Sequence, residues 1–430
     1  MITRIEAYQY RCFRKLAVDL GRFHVLAGPN GAGKTTILDI PGLLGDLLQP
    51  RQPVSDAFLV PQGGAAAPRA HTLSELMHCG RGNEFTLTVE AKLDDDIARK
   101  HADETTGHLS QLQPTHLRYE IRFEVFNGTD LQIAEEYLFL FNEYRNPPVL
   151  GQVLQGQPQG SRREATYKDW RYVIRRERGE PPYFLPELSR QKAGPRSLRP
   201  DRLALATLPE DREQYPAALW FLDLLQQNAV NYSPDWAGLR TASPPGGARE
   251  PLRADARNTP WLAKTLREAD EERYQAWVEH VQTALPQIEA IDVRIREEDR
   301  YAYFDVRYHG GHRVTSSGLS DGTLRVLALT LLPYLPEAPR MLVTEEPENG
   351  IHPRAIETVV QSLESMYDTQ VWISTHSPLV LAHVDLSDVL AARLNGDGQV
   401  TVIRGDEHPR LKDWQGALDV GTLFAAGVLN

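Results

Sequence analysis

A loop able to hold a phosphate group begins at Gly28. Residues 28–36 read GPNGAGKTT, which fills every fixed position of the pattern G-x-x-x-x-G-K-[ST]. Glycines let the backbone N–H groups turn inward around a phosphate, and the N-terminus of a following helix adds partial positive charge. In this chemistry Lys34 would reach the β- and γ-phosphates of a nucleotide, and Thr35 would hold Mg²⁺. The predicted nucleotide-binding residues of this loop are Asn30, Gly31, Gly33, Lys34, Thr35 and Thr36.

The elements that must position this loop are a strand before it and a helix after it. Residues 23–27 form an apolar, strand-like run, and residues 36–40 can open a helix. We expect that helix to end near Pro41, because proline breaks a helix interior. The loop is therefore predicted in the strand–loop–helix context that its chemistry requires.

Composition limits the classes to which the chain can belong. Its 430 residues are 41% hydrophobic and 24% charged, which is ordinary for a globular protein of two or more lobes. The two cysteines, Cys12 and Cys79, imply no disulfide framework and fit a reducing compartment. No apolar run is long enough to span a membrane. We expect a cytoplasmic protein with no membrane contact, and its net charge of −11 does not favour nucleic acid as a general partner.

Alternating patterns predict further elements between the motifs. Residues 84–92 alternate as a half-buried strand, and residues 117–126 and 131–141 flank an Asn127-Gly128 turn, so an antiparallel meander is expected. Apolar periodicity predicts helices within 214–232 and 259–284.

Residues 160–202 hold twelve cations against six acids, a local net charge of +6. With Trp170 and Tyr172 interleaved, this stretch is a candidate contact for a nucleic-acid backbone. The alternative is a solvated or salt-bridged surface. The cations are Arg162, Arg163, Lys168, Arg171, Arg175, Arg176, Arg178, Arg190, Lys192, Arg196, Arg199 and Arg202.

Three further patches follow in a fixed order. Ser320 and Gly322 lie in LSDGTLR at a predicted helix start, where a hydroxyl, N–H groups and the helix dipole suit a γ-phosphate. An apolar strand then delivers Glu345 and Glu346: the first would lie near Mg²⁺, and the second could polarise an attacking water. Last, the apolar strand that begins at Val371 ends at His376 of STHSP, a candidate γ-phosphate sensor.

In this order GPNGAGKTT, LSDGTLR, VTEEPENGIHP and STHSP resemble the ABC-type ATPase heads of the RecF/SMC-like class, most of all the ATPase portion of the OLD family and related bacterial AAA-like ATPases. The resemblance covers roughly residues 1–40 and 285–385, and it extends more weakly over residues 84–141. It implies an α/β P-loop head with a mixed sheet, an antiparallel β lobe and an inserted α+β region. The expected division is an ATPase lobe at 1–145, an inserted basic and helical region at 146–285, and a second ATPase lobe at 286–430.

The resemblance also implies roles for the motif residues. Lys34 and Thr35 belong to the Walker A loop, and Glu345 stands at the Walker B acid where an aspartate is usual. Glu346 resembles the catalytic glutamate and His376 resembles the switch histidine. The implied cofactors are ATP and Mg²⁺, and the implied metal ligands are Thr35 and Glu345.

Ser320 and Gly322 belong to the signature motif, which in this class completes the nucleotide site of a partner head. A homodimer closed by ATP is therefore expected. No Q-loop glutamine can be assigned.

The chain shows no long heptad run, so the coiled-coil arms of full SMC proteins are not expected. Only 54 residues follow His376, fewer than a TOPRIM nuclease domain needs. We therefore expect any nuclease to be a separate polypeptide. Three functions remain open: an ATPase that controls a separate effector in anti-phage defence or DNA processing, a RecF-like DNA-binding repair ATPase, and a non-hydrolysing ATP sensor.

Overall fold

The computed structural model describes residues 1–62, 67–103, 113–144, 170–188, 195–247, 250–395, 399–408 and 420–426. Two compact units divide these residues. The first unit contains 1–21, 39–227 and 394–402, and the second contains 22–38, 228–393 and 403–430. The second unit holds the phosphate-binding loop and the three other motifs.

Strands and helices are interspersed along the described residues, in runs of one to four elements of the same type. In the described residues the strands are β1 (Ile2–Tyr10), β2 (Phe13–Asp19), β3 (Phe23–Ala27), β4 (Glu84–Lys92), β5 (His116–Phe126), β6 (Asp130–Phe141), β7 (Arg171–Arg176), β8 (Tyr183–Phe184), β9 (Ala229–Asn231), β10 (Ile288–Ile295), β11 (Ala302–Tyr308), β12 (Arg313–Thr315), β13 (Met341–Glu345), β14 (Gln370–Thr375), β15 (Val389–Leu394) and β16 (Val400–Arg404). The helices are α1 (Lys34–Leu47), α2 (Asp56–Leu59), α3 (Asp95–Asp103), α4 (Pro216–Gln227), α5 (Thr259–Ala269), α6 (Glu271–Ala284), α7 (Asp321–Leu331), α8 (Pro353–Glu364), α9 (Pro378–Leu381) and α10 (Val420–Ala425). Among these described helices, none is long and apolar enough to cross a membrane.

The first unit is built on a seven-stranded antiparallel sheet in the order β2-β1-β4-β5-β6-β7-β8. The predicted meander is confirmed as β4, β5 and β6, and both Asn127 and Gly128 have the positive φ that the turn residues favour. The prediction of a half-buried β4 is wrong, because nearly all of that strand is buried. The carboxylate of Glu90, on this strand, pairs with Arg118 on the neighbouring strand. Because this ion pair offsets the cost of burying the charge, both faces of β4 can be buried.

A parallel sheet organises the second unit. β15, β3, β14, β13 and β9 are neighbours in that order, with β16 beyond β15, and the pairings of β3, β13, β14 and β9 are parallel. All five residues of β3 are buried, as the apolar run predicts. A separate antiparallel sheet, β10-β11-β12, and helices α5 to α8 add their side chains to the same core, where Trp277 is fully buried.

The predicted end of α1 near Pro41 is wrong. The helix continues to Leu47 with Pro41 in its interior. Leu43, Leu44 and Leu47 are buried in the second half of the helix. Burying one such side chain contributes about 1.5–3 kcal/mol, so three of them outweigh the roughly 3 kcal/mol that an interior proline costs.

A buried charge cluster links three strands of the first unit. The guanidinium of Arg118, on β5, contacts Glu6 at 2.9 Å, Glu90 at 2.5 Å and also Glu120. Arg4 adds a second cation, 2.7 Å from Glu6, so three carboxylates share two guanidinium groups. Burial raises the pKa of Glu120 to about 7 despite the attraction of Arg118. This carboxyl is therefore the one that carries a proton most readily.

The cluster predicts how stability depends on pH. Because its pKa is raised, Glu120 binds its proton more tightly in the folded state than in the unfolded state. The stability that this proton adds to the folded state is fully present below about pH 4.5 and is lost as the pH rises to about 7. Glu120→Gln keeps the side chain neutral. Relative to the wild type, its free energy of unfolding should rise by up to about 3 kcal/mol between about pH 5 and pH 8.

Urea denaturation at several pH values measures this difference. Glu213→Gln, which alters an exposed carboxylate of the same unit, is the matched control and should show no such trend. A Glu120→Gln difference that stays flat or falls with pH would contradict the assignment.

Candidate nucleotide site

The parallel register of the second unit brings three motifs to one edge of a sheet. Ala27, at the end of β3, pairs with Thr375 at the end of β14, and Ser374 pairs with Glu345 at the end of β13. Carboxyl ends of parallel strands share an edge, which is where ligands bind in such sheets. The loop from Gly28 and the segments that hold Glu346 and His376 therefore begin side by side.

Three glycines of the phosphate-binding loop have positive φ values, which residues with a side chain rarely adopt. Gly28, Gly31 and Gly33 have φ values of 154°, 79° and 79°. A Cβ on Gly28 would lie 2.2 Å from the carbonyl oxygen of Ala392, whereas one on Gly31 would meet no atom within 4 Å. Asn30 and Gly31 are exposed and Thr36 is half-buried in the first turn of α1. The loop therefore packs against β15 at Gly28, and it is exposed at Asn30 and Gly31.

Lys34 lies at the centre of this loop. Its ammonium Nζ donates to the carbonyl oxygens of Gly28 at 2.8 Å and Pro29 at 3.0 Å, and lies 3.0 Å from Nε2 of His376. Burial lowers the pKa of Lys34, and the Glu346 and Glu345 carboxylates oppose that shift. A cation is thus held inside a loop whose N–H groups suit an anion.

The predicted metal ligands meet across two elements. The Thr35 hydroxyl donates to Oε2 of Glu345 at 2.9 Å, and both residues are exposed. Within the described residues, no three His, Cys, Asp or Glu side chains gather as a metal cluster. A hydroxyl and a carboxylate are hard oxygen donors, and Mg²⁺ is usually held by one or two protein carboxylates together with phosphates and water. The pair fits Mg²⁺ bound with a nucleotide.

Glu346 and His376 face each other beside Lys34. Nε2 of His376 lies 3.4 Å from Oε1 of Glu346. The same nitrogen can accept an N–H bond from Lys34 or, when protonated, donate one to Glu346, but it cannot do both. Glu346 has a φ of 45°, a left-handed conformation that costs an ordinary residue about 1–2 kcal/mol. Its N–H bond to the Ser374 carbonyl, 2.9 Å long, helps to hold that conformation.

The signature residues are placed apart from this group. Ser320 caps α7: its Oγ accepts from the Thr323 N–H at 3.1 Å and lies 2.8 Å from the Thr323 hydroxyl. Ser320 is exposed, and a Cβ on Gly322 would lie 3.0 Å from the Gly350 carbonyl oxygen. Among the contacts of the described residues, none joins Ser320 or Gly322 to Lys34 or Thr35 of the same chain.

Two arginines to which the sequence motifs assign no role make contacts in and around this signature segment. Arg240 donates to the Leu319 carbonyl at 2.7 Å and to Asp321 at 2.7 Å. Arg325 stacks over the ring of Trp236, 4.4 Å from its centroid. The final R of LSDGTLR was a visible signal for Arg325, but no local pattern marks Arg240.

The basic stretch of 160–202 lies in the first unit, and several of its described cations are engaged. Arg178 contacts Glu84 at 2.5 Å and Glu124 at 2.6 Å, and Arg175 contacts Glu177 at 2.6 Å. Arg176 is buried and donates to the Arg202 carbonyl at 2.8 Å. These contacts favour the salt-bridged interpretation over a free cationic surface. Five of the twelve cations lie outside the described residues: Arg162, Arg163, Lys168, Arg190 and Lys192.

Comparison with known proteins decides the family. Residues 23–382 match the family model described as "AAA domain, putative AbiEii toxin, Type IV TA system". The chain belongs to this AAA-domain family. No curated protein matches the sequence. The match to an AAA domain and the site geometry identify a P-loop ATPase domain, whereas the finer assignments to the ABC-type RecF/SMC-like class and to the OLD family stay predictions.

Solved structures resemble the chain in fold. An SMC head bound to the C-winged helix domain of ScpA shares 12% identity, covers 94% of this chain and 96% of its own, and has a TM-score of 0.52. An SMC head with an extended coiled coil, bound to the C-terminal domain of ScpA from Pyrococcus furiosus, shares 13% identity over 94% of this chain and 95% of its own, with a TM-score of 0.47. At identities this low, the similarity shows only a shared fold. That conclusion rests on the first structure, which has a TM-score of 0.52.

The position of Lys34 predicts the effect of removing it. Lys34→Ala should lower ATP affinity at least tenfold, because a charge-assisted hydrogen bond to phosphate contributes about 1.5–3 kcal/mol. Isothermal titration calorimetry measures the affinity. Lys264→Ala removes an ammonium on α5 that pairs with Glu268, and this control should bind ATP as the wild type does. Equal affinities in the two variants would place the nucleotide elsewhere.

Proposed function

We propose that the chain binds ATP with Mg²⁺ on the loop of 28–36 and hydrolyses it. The observation that carries this proposal is the meeting, at one sheet edge, of Thr35 with Glu345 and of His376 with both Lys34 and Glu346. Thr35 and Glu345 would hold Mg²⁺, which when bound neutralises phosphate charge. The Lys34 ammonium would hold the phosphates, assisted by the loop N–H groups.

In the hydrolytic step Glu346 acts as the general base. Its carboxylate takes a proton from the attacking water, and the left-handed backbone at this residue is local strain of the kind that functional sites store. His376 senses the γ-phosphate. Its Nε2 is shared between Lys34 and Glu346, so a change in charge beside Lys34 alters which of the two it binds.

Two copies of the chain complete each site in this proposal. Ser320 is exposed, and both of its side-chain hydrogen bonds go to Thr323, so its hydroxyl and the N-terminus of α7 are accessible to a second molecule. A γ-phosphate held on the loop of a partner would meet a hydroxyl and a helix N-terminus there. ATP would close the homodimer and hydrolysis would open it.

The biological role proposed is control of a separate effector, such as a nuclease, in anti-phage defence or DNA processing. The family description names an AbiEii toxin and a type IV toxin–antitoxin system, and the SMC heads of similar fold were solved with ScpA domains. Both support a head that acts with another protein. The engaged arginines of 171–178 make direct DNA binding through that stretch the less favoured alternative.

Glu346→Gln tests the assignment of the base. The amide keeps the shape of the side chain but cannot take the proton, so hydrolysis should fall at least about 100-fold while ATP binding persists and dimers accumulate. Phosphate release and sedimentation velocity with ATP measure the two effects. Glu337→Gln, an exposed residue before the amino end of β13, is the matched control. Turnover that survives in Glu346→Gln would refute the assignment.

A mixing experiment tests whether Ser320 acts on a partner. Ser320→Asp preserves the N-cap, since aspartate caps a helix as well as serine does, but places a carboxylate against the γ-phosphate. Alone, the Ser320→Asp and Lys34→Ala proteins should each be inactive. Mixed, they can form dimers with one intact site, so hydrolysis should return to about a quarter of the wild-type rate. Absence of any recovery, with mixed dimers shown by sedimentation, would exclude a shared site.

A further inference from the structure

A third carboxyl group, two residues after Glu346, is buried. Glu348 is only 8% exposed, and its Oε1 accepts a hydrogen bond of 2.5 Å from the Thr375 hydroxyl. Its Oε2 is buried and has no hydrogen-bond partner among the described residues. Burial raises the pKa of Glu348, while the Thr375 bond acts in the opposite direction. An apolar side chain would fill this space without the cost of desolvating a carboxyl group, so packing alone does not account for Glu348.

The Thr375 hydroxyl joins Glu348 to the segment that carries His376. Thr375 is the last residue of β14, and its Oγ1 donates to Glu348 while it accepts the Ser377 N–H at 2.9 Å. The His376 backbone N–H also interacts favourably with the Glu348 carboxylate. The residues on both sides of His376 are therefore tied to one buried side chain.

The same turn is tied to β14 at a second point. The Glu346 N–H donates to the Ser374 carbonyl at 2.9 Å, and the Asn349 N–H donates back to the Glu346 carbonyl at 3.0 Å. The Glu348 carbonyl accepts the Ile351 N–H at 3.0 Å, so the backbone at Glu348 is fixed too. Glu346 and His376 are consequently held by two independent links, one of backbone and one of side chain.

We propose that Glu348 is a positioning residue that holds His376 against Glu346 and Lys34. Its carboxylate fixes the Thr375 hydroxyl, which fixes the turn at Ser377 and with it the place of the imidazole between the two charged groups. This inference rests on the proposed hydrolytic function, in which Glu346 and His376 act together. Glu348 itself touches neither the nucleotide loop nor Glu346 in the hydrogen bonds of the described residues, so it acts through Thr375.

Two pairs of variants separate positioning from simple packing. Thr375→Val and Glu348→Ala break the link, whereas Thr375→Ser and Glu348→Gln retain a hydroxyl donor and a carbonyl-type acceptor. The first pair should lower kcat about 10- to 100-fold, the loss expected when catalytic groups shift by about 1 Å, with KM for ATP within about twofold of the wild type. The second pair should recover most of kcat. Because Thr375→Val keeps the shape of the side chain, its fold should survive, and circular dichroism checks this.

A spectroscopic measurement keeps the test independent of turnover. In protein labelled at histidine, the ring resonances of His376, assigned with His376→Gln, report the surroundings and tautomer of the imidazole. Thr375→Val should shift them and Thr375→Ser should not. Unchanged resonances together with a wild-type kcat in Thr375→Val would overturn the inference.

The two proposals fail differently. If Glu346→Gln still hydrolyses ATP at the wild-type rate but Thr375→Val displaces the His376 resonances, the proposed function fails while the positioning of His376 by Glu348 stands. If Glu346→Gln is inactive and both Thr375→Val and Glu348→Ala match the wild type, the proposed function stands and the role of Glu348 is refuted. A double variant that is no worse than either single one would further support a single link.

Discussion

The parallel pairing of β3, β14 and β13 is the constraint on which the rest of the site depends. It sets Ala27 beside Thr375 and Ser374 beside Glu345, so the three loops that follow these strands start from one edge. The hydrogen bonds of the sheet join strands that are distant in the sequence, and they hold close together adjacent carboxylates, a buried ammonium, and a glutamate with left-handed backbone. Strain and like-charge repulsion at such an edge are typical of functional sites.

The charges of the two units are balanced in different ways. In the first unit the carboxylates of the cluster pair with Arg118, and burial raises the pKa of Glu120 to about 7. In the nucleotide site the exposed Thr35–Glu345 pair faces outward, and Lys34 is held by carbonyl oxygens and His376 rather than by a carboxylate. The first arrangement pairs buried charges with one another. The second leaves a cation and an anion ready to bind charged ligands, which is the property that Mg²⁺ and a triphosphate require.

Motifs and strands could be predicted from the sequence because their causes are local. The loop of 28–36, the β4–β6 meander and the carboxylates at the end of β13 each follow from spacing within a few residues. The end of α1 was misplaced, since buried leucines beyond Pro41 outweigh the local preference. Arg240 and Glu348 were overlooked because their partners are distant: Asp321 is 81 residues from Arg240, and Thr375 is 27 from Glu348. Such partners are defined only once the sheet has assembled.

The central claim is that separate segments of the chain converge, across two copies, on one triphosphate. A crystal structure with Mg²⁺ and a non-hydrolysable ATP analogue tests it most directly. The account predicts the phosphates on the loop of 28–36, the metal between the Thr35 hydroxyl and Glu345, and Ser320 of a second copy at the γ-phosphate. A nucleotide bound to this loop with Ser320 facing solvent, far from any neighbouring Lys34, would contradict it.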